Sequence, residues 1–163
     1  MNRKSARFRV LAFDPGYERL GAAVLEKKSG REILLHSECF RTSAADAFPE
    51  RLRQLGESVD ALIEKFTPDA MALEKVYFEK NAKTAMQIAE VRGMLIHASA
   101  SRGLSLFEYT PLQVKVAVTG YGKSGKPAVA AMVARLVTLP DKKRLDDELD
   151  AIAVGLTCLA SAR

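Results

Sequence analysis

The sequence has no tryptophan and only two cysteines and two histidines among its 163 residues. Cys39 and Cys158 lie far apart without the spacing of metal ligands, so neither a zinc site nor a disulfide framework is indicated. His36 and His97 are equally isolated, which argues against a His-based catalytic triad. Two lone thiols are typical of a reducing compartment, and we expect a cytoplasmic protein.

Long hydrophobic runs are missing as well. No apolar stretch approaches the roughly 20 residues that span a bilayer, and Asp14 interrupts the N-terminal apolar run too early for a signal peptide. Hydrophobic residues make up 48% of the chain and charged residues 28%, which is typical of a folded protein. The length corresponds to one domain, and we expect residues 1–163 to form a single one.

Negative charge is scarce in one segment. The formal net charge is +5, from 25 basic and 20 acidic residues. Residues 75–126 contain eight of the bases and three of the acids, and the rest of the chain has 17 of each. A basic segment of this kind permits a polyanionic partner such as a nucleic acid but does not establish one.

Hydrophobic periodicity predicts ten elements in the order βββαβαβααα. The expected strands are Phe8–Phe13, Leu20–Glu26, Glu32–Phe40, Asp69–Lys75 and Leu104–Tyr109. The expected helices are Ala47–Phe66, Asn81–Ser101, Pro111–Val118, Pro127–Thr138 and Asp147–Ala162. The first three strands are predicted to form an antiparallel meander. The later alternation of strand and helix favours a mixed sheet with helices on its faces, an α/β fold.

Four carboxylates occur where carboxylates are costly. Asp14 and Glu74 end two apolar strands, and Asp147 and Asp150 precede the apolar turns of the last helix. The i, i+3 spacing of these aspartates puts them on one helical face. Each acid alone has a simpler explanation, as a turn residue, an ion-pair partner or a favourable charge at a helix N-terminus. Together they indicate one site, because neighbouring strand ends converge.

An acidic site without histidine or cysteine has a specific chemistry. Carboxylate oxygens suit hard cations such as Mg²⁺ or Mn²⁺. Two such ions about 4 Å apart stabilise the attacking and leaving oxygens of a phosphodiester displacement. The sequence therefore predicts a two-metal site that acts on a phosphodiester, with the basic segment 75–126 contacting phosphates.

Four motifs carry a resemblance to a known family. They are Leu11-Ala-Phe-Asp-Pro-Gly16, Leu73-Glu-Lys-Val-Tyr-Phe-Glu-Lys-Asn-Ala82, Gln113-Val-Lys115 and Asp147-Glu-Leu-Asp-Ala-Ile-Ala153. In this order and spacing they resemble the RuvC family of Holliday junction resolvases over nearly the whole chain. The resemblance implies a ribonuclease H-like fold, a mixed five-stranded sheet in which two parallel strands join the antiparallel meander and helices cover both faces.

The resemblance also implies an activity. It predicts a homodimer that makes paired, metal-dependent nicks in four-way junction DNA during recombination and repair, leaving 5′-phosphate and 3′-hydroxyl ends. Branch-migration proteins of the RuvA and RuvB type are the implied partners. By motif match, Asp14, Glu74, Asp147 and Asp150 would hold two Mg²⁺ ions, and Mn²⁺ would substitute. Asp146 does not fit the D-x-x-D spacing and is left out.

Further residues are matched to catalysis and DNA contact. Lys115 and Lys126 would approach the scissile or neighbouring phosphates and are counted as catalytic. Tyr77 stands where the family usually has a phenylalanine that stacks on a base; Phe78 could share that role, and Tyr77 could equally be a core residue. The expected DNA-contacting residues are Tyr77, Phe78, Lys80, Lys83, Lys115, Lys123 and Lys126. The helix Asn81–Ser101 is the candidate dimer interface, or else a core helix.

Other interpretations of the sequence compete with a resolvase. Residues 120–127 nearly match a P-loop, but Pro127 replaces the metal-binding Ser or Thr and a helix precedes the loop, so nucleotide hydrolysis is rejected. The loop Asp14-x-Gly16 is also similar to that of actin-like ATPases, whose two domains exceed 163 residues. A ribonuclease H-like nuclease acting on RNA, or a non-catalytic basic DNA-binding module, remains an alternative.

Overall fold

A computed structural model describes residues 7–77 and 82–162, without the side chains of residues 82 and 83. The strands are β1 (Phe8–Asp14), β2 (Arg19–Lys28), β3 (Arg31–Arg41), β4 (Ala70–Glu74) and β5 (Ser105–Tyr109). The helices are α1 (Phe48–Phe66), α2 (Ala82–Ser101), α3 (Pro111–Thr119), α4 (Lys126–Leu136) and α5 (Asp146–Ser161). The predicted order of elements is confirmed.

The five strands form one mixed sheet in the order β3-β2-β1-β4-β5. β1 pairs antiparallel with β2, and β2 pairs antiparallel with β3, as the predicted meander requires. β4 pairs parallel with both β1 and β5. The expected α/β fold, a meander extended by two parallel strands, is therefore confirmed.

The hairpin between β2 and β3 is longer than the sequence pattern predicted. Lys27 pairs with Glu32 and Lys28 pairs with Arg31, so the ladder continues past the apolar residues to the turn. The residues between the strands, Ser29 and Gly30, have φ values of 52° and 78°. Two consecutive positive φ angles are typical of a tight type I′ hairpin turn. Apolar alternation cannot locate this strand end, because both lysines are polar.

Helices cover both faces of the sheet. Along β1, Leu11 and Phe13 pack with α1 and α2, whereas Val10 and Ala12 pack with α3, α4 and α5. Successive side chains of a strand point to opposite faces, so one strand serves two apolar layers. This two-sided burial explains why β1 is a continuous apolar run rather than an alternating one.

Helix α5 packs closely on the centre of the sheet. A Cβ at Gly155 would overlap the side chain of Leu25 and lie 3.3 Å from Cβ of Ala12. A side chain at position 155 would require Leu25 to move, so the glycine lets α5 lie close to β1 and β2. Ten residues of α5 are buried, yet no helix within residues 7–77 and 82–162 is long and apolar enough to cross a membrane.

Candidate metal centre and active site

Two of the predicted acids lie side by side at one edge of the sheet. Asp14 ends β1 and Glu74 ends β4. These strands are parallel neighbours, and the last pair in their ladder, Phe13 with Leu73, directly precedes the two acids. Phe13 and Leu73 face α1 and α2, so strand alternation turns both carboxylates toward the face that α5 covers.

The N-terminal turn of α5 brings the second pair of acids to the same edge. Asp147 and Asp150 are in its first two turns. A Cβ on Gly21 would overlap the carbonyl oxygen of Asp147, and Gly21 is the cross-strand partner of Asp14. Because Gly21 has no side chain, the backbone of Asp147 packs against β2 at the position directly opposite Asp14.

The four carboxylates lie within one another's electric field. The pKa of Asp14 is raised to about 7, first by burial and then by the charges of Asp150, Glu74 and Asp147, in that order. The pKa of Glu74 is raised by burial and then by Asp150, and burial also raises the pKa of Asp150. Burial and neighbouring carboxylates thus disfavour the ionised forms of Asp14, Glu74 and Asp150, which a bound cation would stabilise.

The donor set fits a hard divalent cation, although the side chains do not form a closed ligand cage. In the described part of the chain, no three acidic, histidine or cysteine side chains are arranged so as to hold an ion. Oδ2 of Asp147 is buried and accepts no hydrogen bond, although Nε of Arg19 lies 3.3 Å away. A buried carboxylate oxygen without a donor in an all-oxygen site suits Mg²⁺ or Mn²⁺.

Two lysines from α3 and α4 adjoin these acids. Lys115 and Lys126 line a cavity of about 240 Å³ together with Glu74 and Asp150. Nζ of Lys126 donates to Oδ2 of Asp150 at 3.3 Å, and the charge of Asp150 is the main cause that raises the pKa of Lys126. Both lysines that were matched to catalysis therefore lie beside the acids.

Local structure fixes where α3 begins and hence where Lys115 lies. Thr110 and Gln113 form a capping box, in which each side chain accepts a hydrogen bond from the other residue's backbone N–H. Pro111 occupies the first turn, where its missing N–H costs nothing. The backbone N–H of Lys75 donates to the carbonyl of Tyr109 at 2.7 Å, so the ends of β4 and β5 are joined just before this helix.

Glu148 is a functional candidate that the sequence reasoning missed. It is 4% exposed, and its Oε1 accepts a hydrogen bond from Oγ of Ser37 at 2.6 Å. Nζ of Lys142 lies 2.8 Å and Nε of Arg144 lies 3.3 Å from the same oxygen. These contacts tie the first turn of α5 to β3 and to the preceding loop. From sequence, Glu148 was indistinguishable from a solvent-facing charge at a helix N-terminus.

Arg19 and Gly21 were also missed. Arg19 forms an ion pair with Asp147, which is distant from it in the sequence. Gly21 has no side chain, so the backbone of α5 can approach it closely. Only the Gly-containing pattern at the start of β2 hinted at a close approach there. Asp146, which the spacing excluded, is exposed and lies 3.9 Å from Nζ of Lys126.

The predicted DNA-contacting residues are described only in part. Tyr77 is 64% exposed, which excludes the alternative that it belongs to the core. Lys123 is exposed in the loop between α3 and α4. Phe78 and Lys80 lie outside the described residues, and so does the side chain of Lys83. Tyr121, 61% exposed in the same loop as Lys123, is an aromatic surface residue that the motifs did not indicate.

Comparison with known proteins agrees with the motifs. The family model for "Crossover junction endodeoxyribonuclease RuvC" matches residues 10–158. A relative with that description from Moorella thermoacetica is 40% identical over 152 residues, which cover 93% of this chain and 90% of the relative. One from Desulfitobacterium hafniense is 38% identical over 147 residues, covering 90% of this chain and 89% of the relative.

Solved structures give the same answer. The structure described as T. thermophilus RuvC in complex with Holliday junction substrate superposes with a TM-score of 0.89 at 31% identity, covering 96% of this chain and 95% of that one. The yeast mitochondrial Holliday junction resolvase Ydc2 matches with a TM-score of 0.69 at 16% identity, over 92% and 77% of the two chains, and shows the shared fold alone. On its sequence, its fold and these matches, the chain belongs to the RuvC family of crossover junction endodeoxyribonucleases.

Proposed function

We propose that this chain resolves four-way (Holliday) DNA junctions by paired, metal-dependent nicks that leave 5′-phosphate and 3′-hydroxyl ends. The observation that carries the proposal is the environment of Asp14. This half-buried acid ends β1 beside Glu74 at the end of the parallel strand β4, and burial together with the charges of three other carboxylates raises its pKa to about 7. Membership of the RuvC family, and a T. thermophilus relative solved with a Holliday junction substrate, support the choice of substrate.

Asp14, Glu74, Asp147 and Asp150 are the proposed ligands of two Mg²⁺ ions, for which Mn²⁺ would substitute. Bound there, divalent cations would supply Lewis-acid stabilisation of the attacking and leaving oxygens of the phosphodiester. The protein's part is to hold the four carboxylates on rigid elements, two strand ends and one helix start, so that little reorganisation is needed during the reaction.

Lys115 and Lys126 are proposed to act on the phosphate from the cavity that they line with Glu74 and Asp150. Lys126 hydrogen-bonds to Asp150, and the charge of Lys115 opposes the burial that raises the pKa of Glu74. A phosphate that enters between these lysines and the acids would meet two cationic groups poised to offset charge in its transition state. Such groups should influence the cleavage rate more than the affinity for the junction.

The remaining DNA contacts are proposed on exposure and charge. The exposed ring of Tyr77 adjoins the end of β4, where it can stack on a base near the crossover. Phe78, Lys80, Lys83 and Lys123 stay in the proposal as neighbouring contacts. A basic segment that contributes Lys115 and Lys126 to the cavity beside the acids attracts the phosphate backbone.

We infer that residues 1–163 act as one domain within a cytoplasmic homodimer. A four-way junction has two-fold symmetry, so a dimer with C₂ symmetry presents two sites for paired cuts. On α2, Met86 is 67% exposed and Ile96 is 37% exposed, and these apolar side chains favour α2 as the interface helix. Branch-migration proteins of the RuvA and RuvB type are the proposed functional partners.

Asp14→Asn tests the function with the smallest change of shape. With Mg²⁺ and a synthetic four-way junction labelled on each arm, we expect cleavage to fall by at least about 10²–10³-fold, the range for loss of one preorganised electrostatic group. Binding of the junction should persist. The matched control is Asp141→Asn, which removes the same charge from an exposed residue in the loop before α5.

Three outcomes would contradict the proposal in different ways. If Asp14→Asn cuts junctions as fast as the wild type, Asp14 is not a metal ligand. Wild-type protein that binds junctions but makes no strand breaks at any Mg²⁺ or Mn²⁺ concentration would be a binding module. Cleavage of structured RNA in preference to the DNA junction would establish the RNA-directed alternative.

A further inference from the structure

We propose that a second anion site, an arginine cleft beside the metal centre, binds a backbone phosphate of the DNA strand that is being cut. The cleft is about 350 Å³ in volume and lies between the start of β2, the end of β3 and α1. Its lining residues are Glu18, Arg19, Arg41, Thr42, Ala44 and Arg51. The inference rests on the proposed function, because it assigns the ligand from that function's substrate.

The first observation is a pair of like charges in the sheet. Arg19 and Arg41 are directly opposite each other in the antiparallel ladder of β2 and β3. Both are exposed at the same end of the hairpin. Like charges in such a cross-strand pair destabilise a sheet, so their juxtaposition favours a bound anion between or beside them.

The second observation is a buried cation without a counter-ion. Arg51 is 6% exposed, and its Nε donates to Oγ1 of Thr42 at 2.8 Å. The guanidinium lies 4.9 Å from the ring centre of Tyr17, and its Nη2 is buried with no hydrogen-bond partner. Among the described residues Arg51 takes part in no ion pair. An uncompensated buried charge is costly, and an anion in the cleft would reduce that cost.

The third observation is position. Nε of Arg19 lies 3.3 Å from Oδ2 of Asp147, so the arginine cleft and the metal centre share a wall. Successive phosphates of one strand rise only about 3.4 Å along the helix axis. A strand with one phosphate at the metal centre therefore presents a neighbouring phosphate to the cleft. Lys115 and Lys126 lie in a separate cavity with Glu74 and Asp150, so the two basic groups would hold the strand at two places.

The net charge of the cleft matches a phosphodiester. Three arginines against Glu18 and the Asp147 carboxylate that pairs with Arg19 leave an excess of one positive charge. Arginine presents a planar fork of donors that suits two oxygens of one phosphate. None of these residues lies in the basic segment 75–126, so the cleft lies outside the DNA-binding surface that the charge distribution predicted.

Arg41→Gln is the appropriate test because Arg41 is exposed and contributes little to the core. The matched control is Arg31→Gln, at the other end of the same strand, where Arg31 is also exposed and opposite Lys28. Affinity for a four-way junction and for a single-stranded oligonucleotide is measured in EDTA over a range of KCl concentrations. We expect Arg41→Gln to weaken both several-fold and to reduce the slope of log K against log salt by about one, whereas Arg31→Gln changes neither.

The outcomes separate this inference from the proposed function. If the wild type cuts junctions and Arg41→Gln matches Arg31→Gln in affinity and slope, the cleft does not bind DNA. If the wild type never cuts junctions but Arg41→Gln still loses affinity for the oligonucleotide, the function fails and the phosphate site stands. Inorganic phosphate is the second probe: saturable binding, followed by phosphorus NMR, that DNA does not displace would assign the cleft to free phosphate and overturn the proposal.

Discussion

Two pairs of acids in this protein have opposite surroundings. Glu26 on β2 and Glu148 on α5 are both almost fully buried, and each has basic partners. Glu26 accepts hydrogen bonds from Nε and Nη2 of Arg9 at 3.1 and 2.7 Å. Asp14 and Glu74 are less buried, yet neither takes part in an ion pair within residues 7–77 and 82–162.

The difference separates structural acids from functional ones. A buried carboxylate with bound partners stabilises the native arrangement once its partners are in place, and removing one partner is strongly destabilising. A carboxylate that the protein leaves unpaired raises the energy of the folded state unless a proton or a cation joins it. Asp14 and Glu74 therefore keep their charge available for a ligand, whereas Glu26 and Glu148 stabilise the fold. Asp147 and Asp150 are intermediate, since Arg19 and Lys126 pair with them.

The largest expected effect is on cleavage by Glu74→Gln. Cutting of a four-way junction should fall by at least about 10²–10³-fold, while the free energy of unfolding stays the same or rises, because the removed charge had no partner. Glu26→Gln should do the reverse: it leaves cleavage per folded molecule unchanged and lowers the free energy of unfolding by about 3–5 kcal/mol, the range for breaking a buried pair. Urea denaturation and junction cleavage of both variants measure this. If the two variants change the cleavage rate equally, or the free energy of unfolding equally, the distinction between unpaired and paired acids is wrong.

Glu148→Gln combines both kinds of effect. The variant keeps an acceptor for Ser37 but leaves Lys142 and Arg144 without a carboxylate, so we expect a loss of about 3–5 kcal/mol in the free energy of unfolding. Because Asp147 and Asp150 are on the same helical turn, the Mg²⁺ concentration for half-maximal cleavage should also rise by about 10–100-fold, as for other residues that orient ligands. Direct Mn²⁺ binding, followed by electron paramagnetic resonance, should weaken in parallel.

The control for this prediction is Glu26→Gln, which breaks a buried pair far from the metal centre. If the Mg²⁺ requirement changes equally in both variants, the effect comes from general destabilisation. If it changes in neither, the anchoring contacts of Glu148 do not position the ligands.

The pH dependence of stability should report the unpaired charge of Asp14. Its pKa is raised from 3.8 to about 7, so between these values the folded state binds more protons than the unfolded state. Stability of the metal-free protein should therefore fall as pH rises from about 4 to about 7 and then level off. Asp14→Asn should lack this component, so the difference in free energy of unfolding between wild type and variant isolates it. A constant difference across that range would contradict the assignment.

The smallest effect is expected at an exposed acid. Hydrogen bonds from Arg53 and Gln54 lower the pKa of Glu50 from 4.5 to about 2. The ionised carboxylate therefore favours the folded state at pH values above 4.5, and this contribution is lost as the pH falls toward 2. Because Glu50 is exposed to solvent, water and salt screen the interaction. Glu50→Gln should leave the midpoint of urea denaturation unchanged within error at 0.5 M NaCl. A clear shift would show that the exposed interaction of Glu50 stabilises the fold, as the buried pairs of Glu26 and Glu148 are expected to do.

The sequence predicted the ten elements because each carries a local signal. The apolar run before Asp14 and the Pro111 helix start are readable from a few adjacent residues. Strand ends were less accurate where polar residues continue a ladder, as at Lys28. The acids of the candidate site could be selected as a set, because the ends of parallel strands converge and because the motifs resemble one family.

The interactions between distant residues could not be predicted in this way. The partnership of Glu148 with Ser37, the ion pair of Arg19 with Asp147, and the opposition of Arg19 and Arg41 join residues that no spacing relates. Each depends on the register of a strand pair or on how closely α5 approaches β2.

By itself, the amino-acid sequence determined which residues are acidic at the ends of apolar elements, the order of those elements and the family to which the chain belongs. Only the tertiary structure decided which acids have basic partners and which do not. Pairing depends on side chains from separate elements meeting within a few ångströms, and a linear pattern contains no information on that distance. Glu148 is therefore held by Ser37, Lys142 and Arg144, whereas Glu74 takes part in no ion pair among residues 7–77 and 82–162 and is a proposed metal ligand.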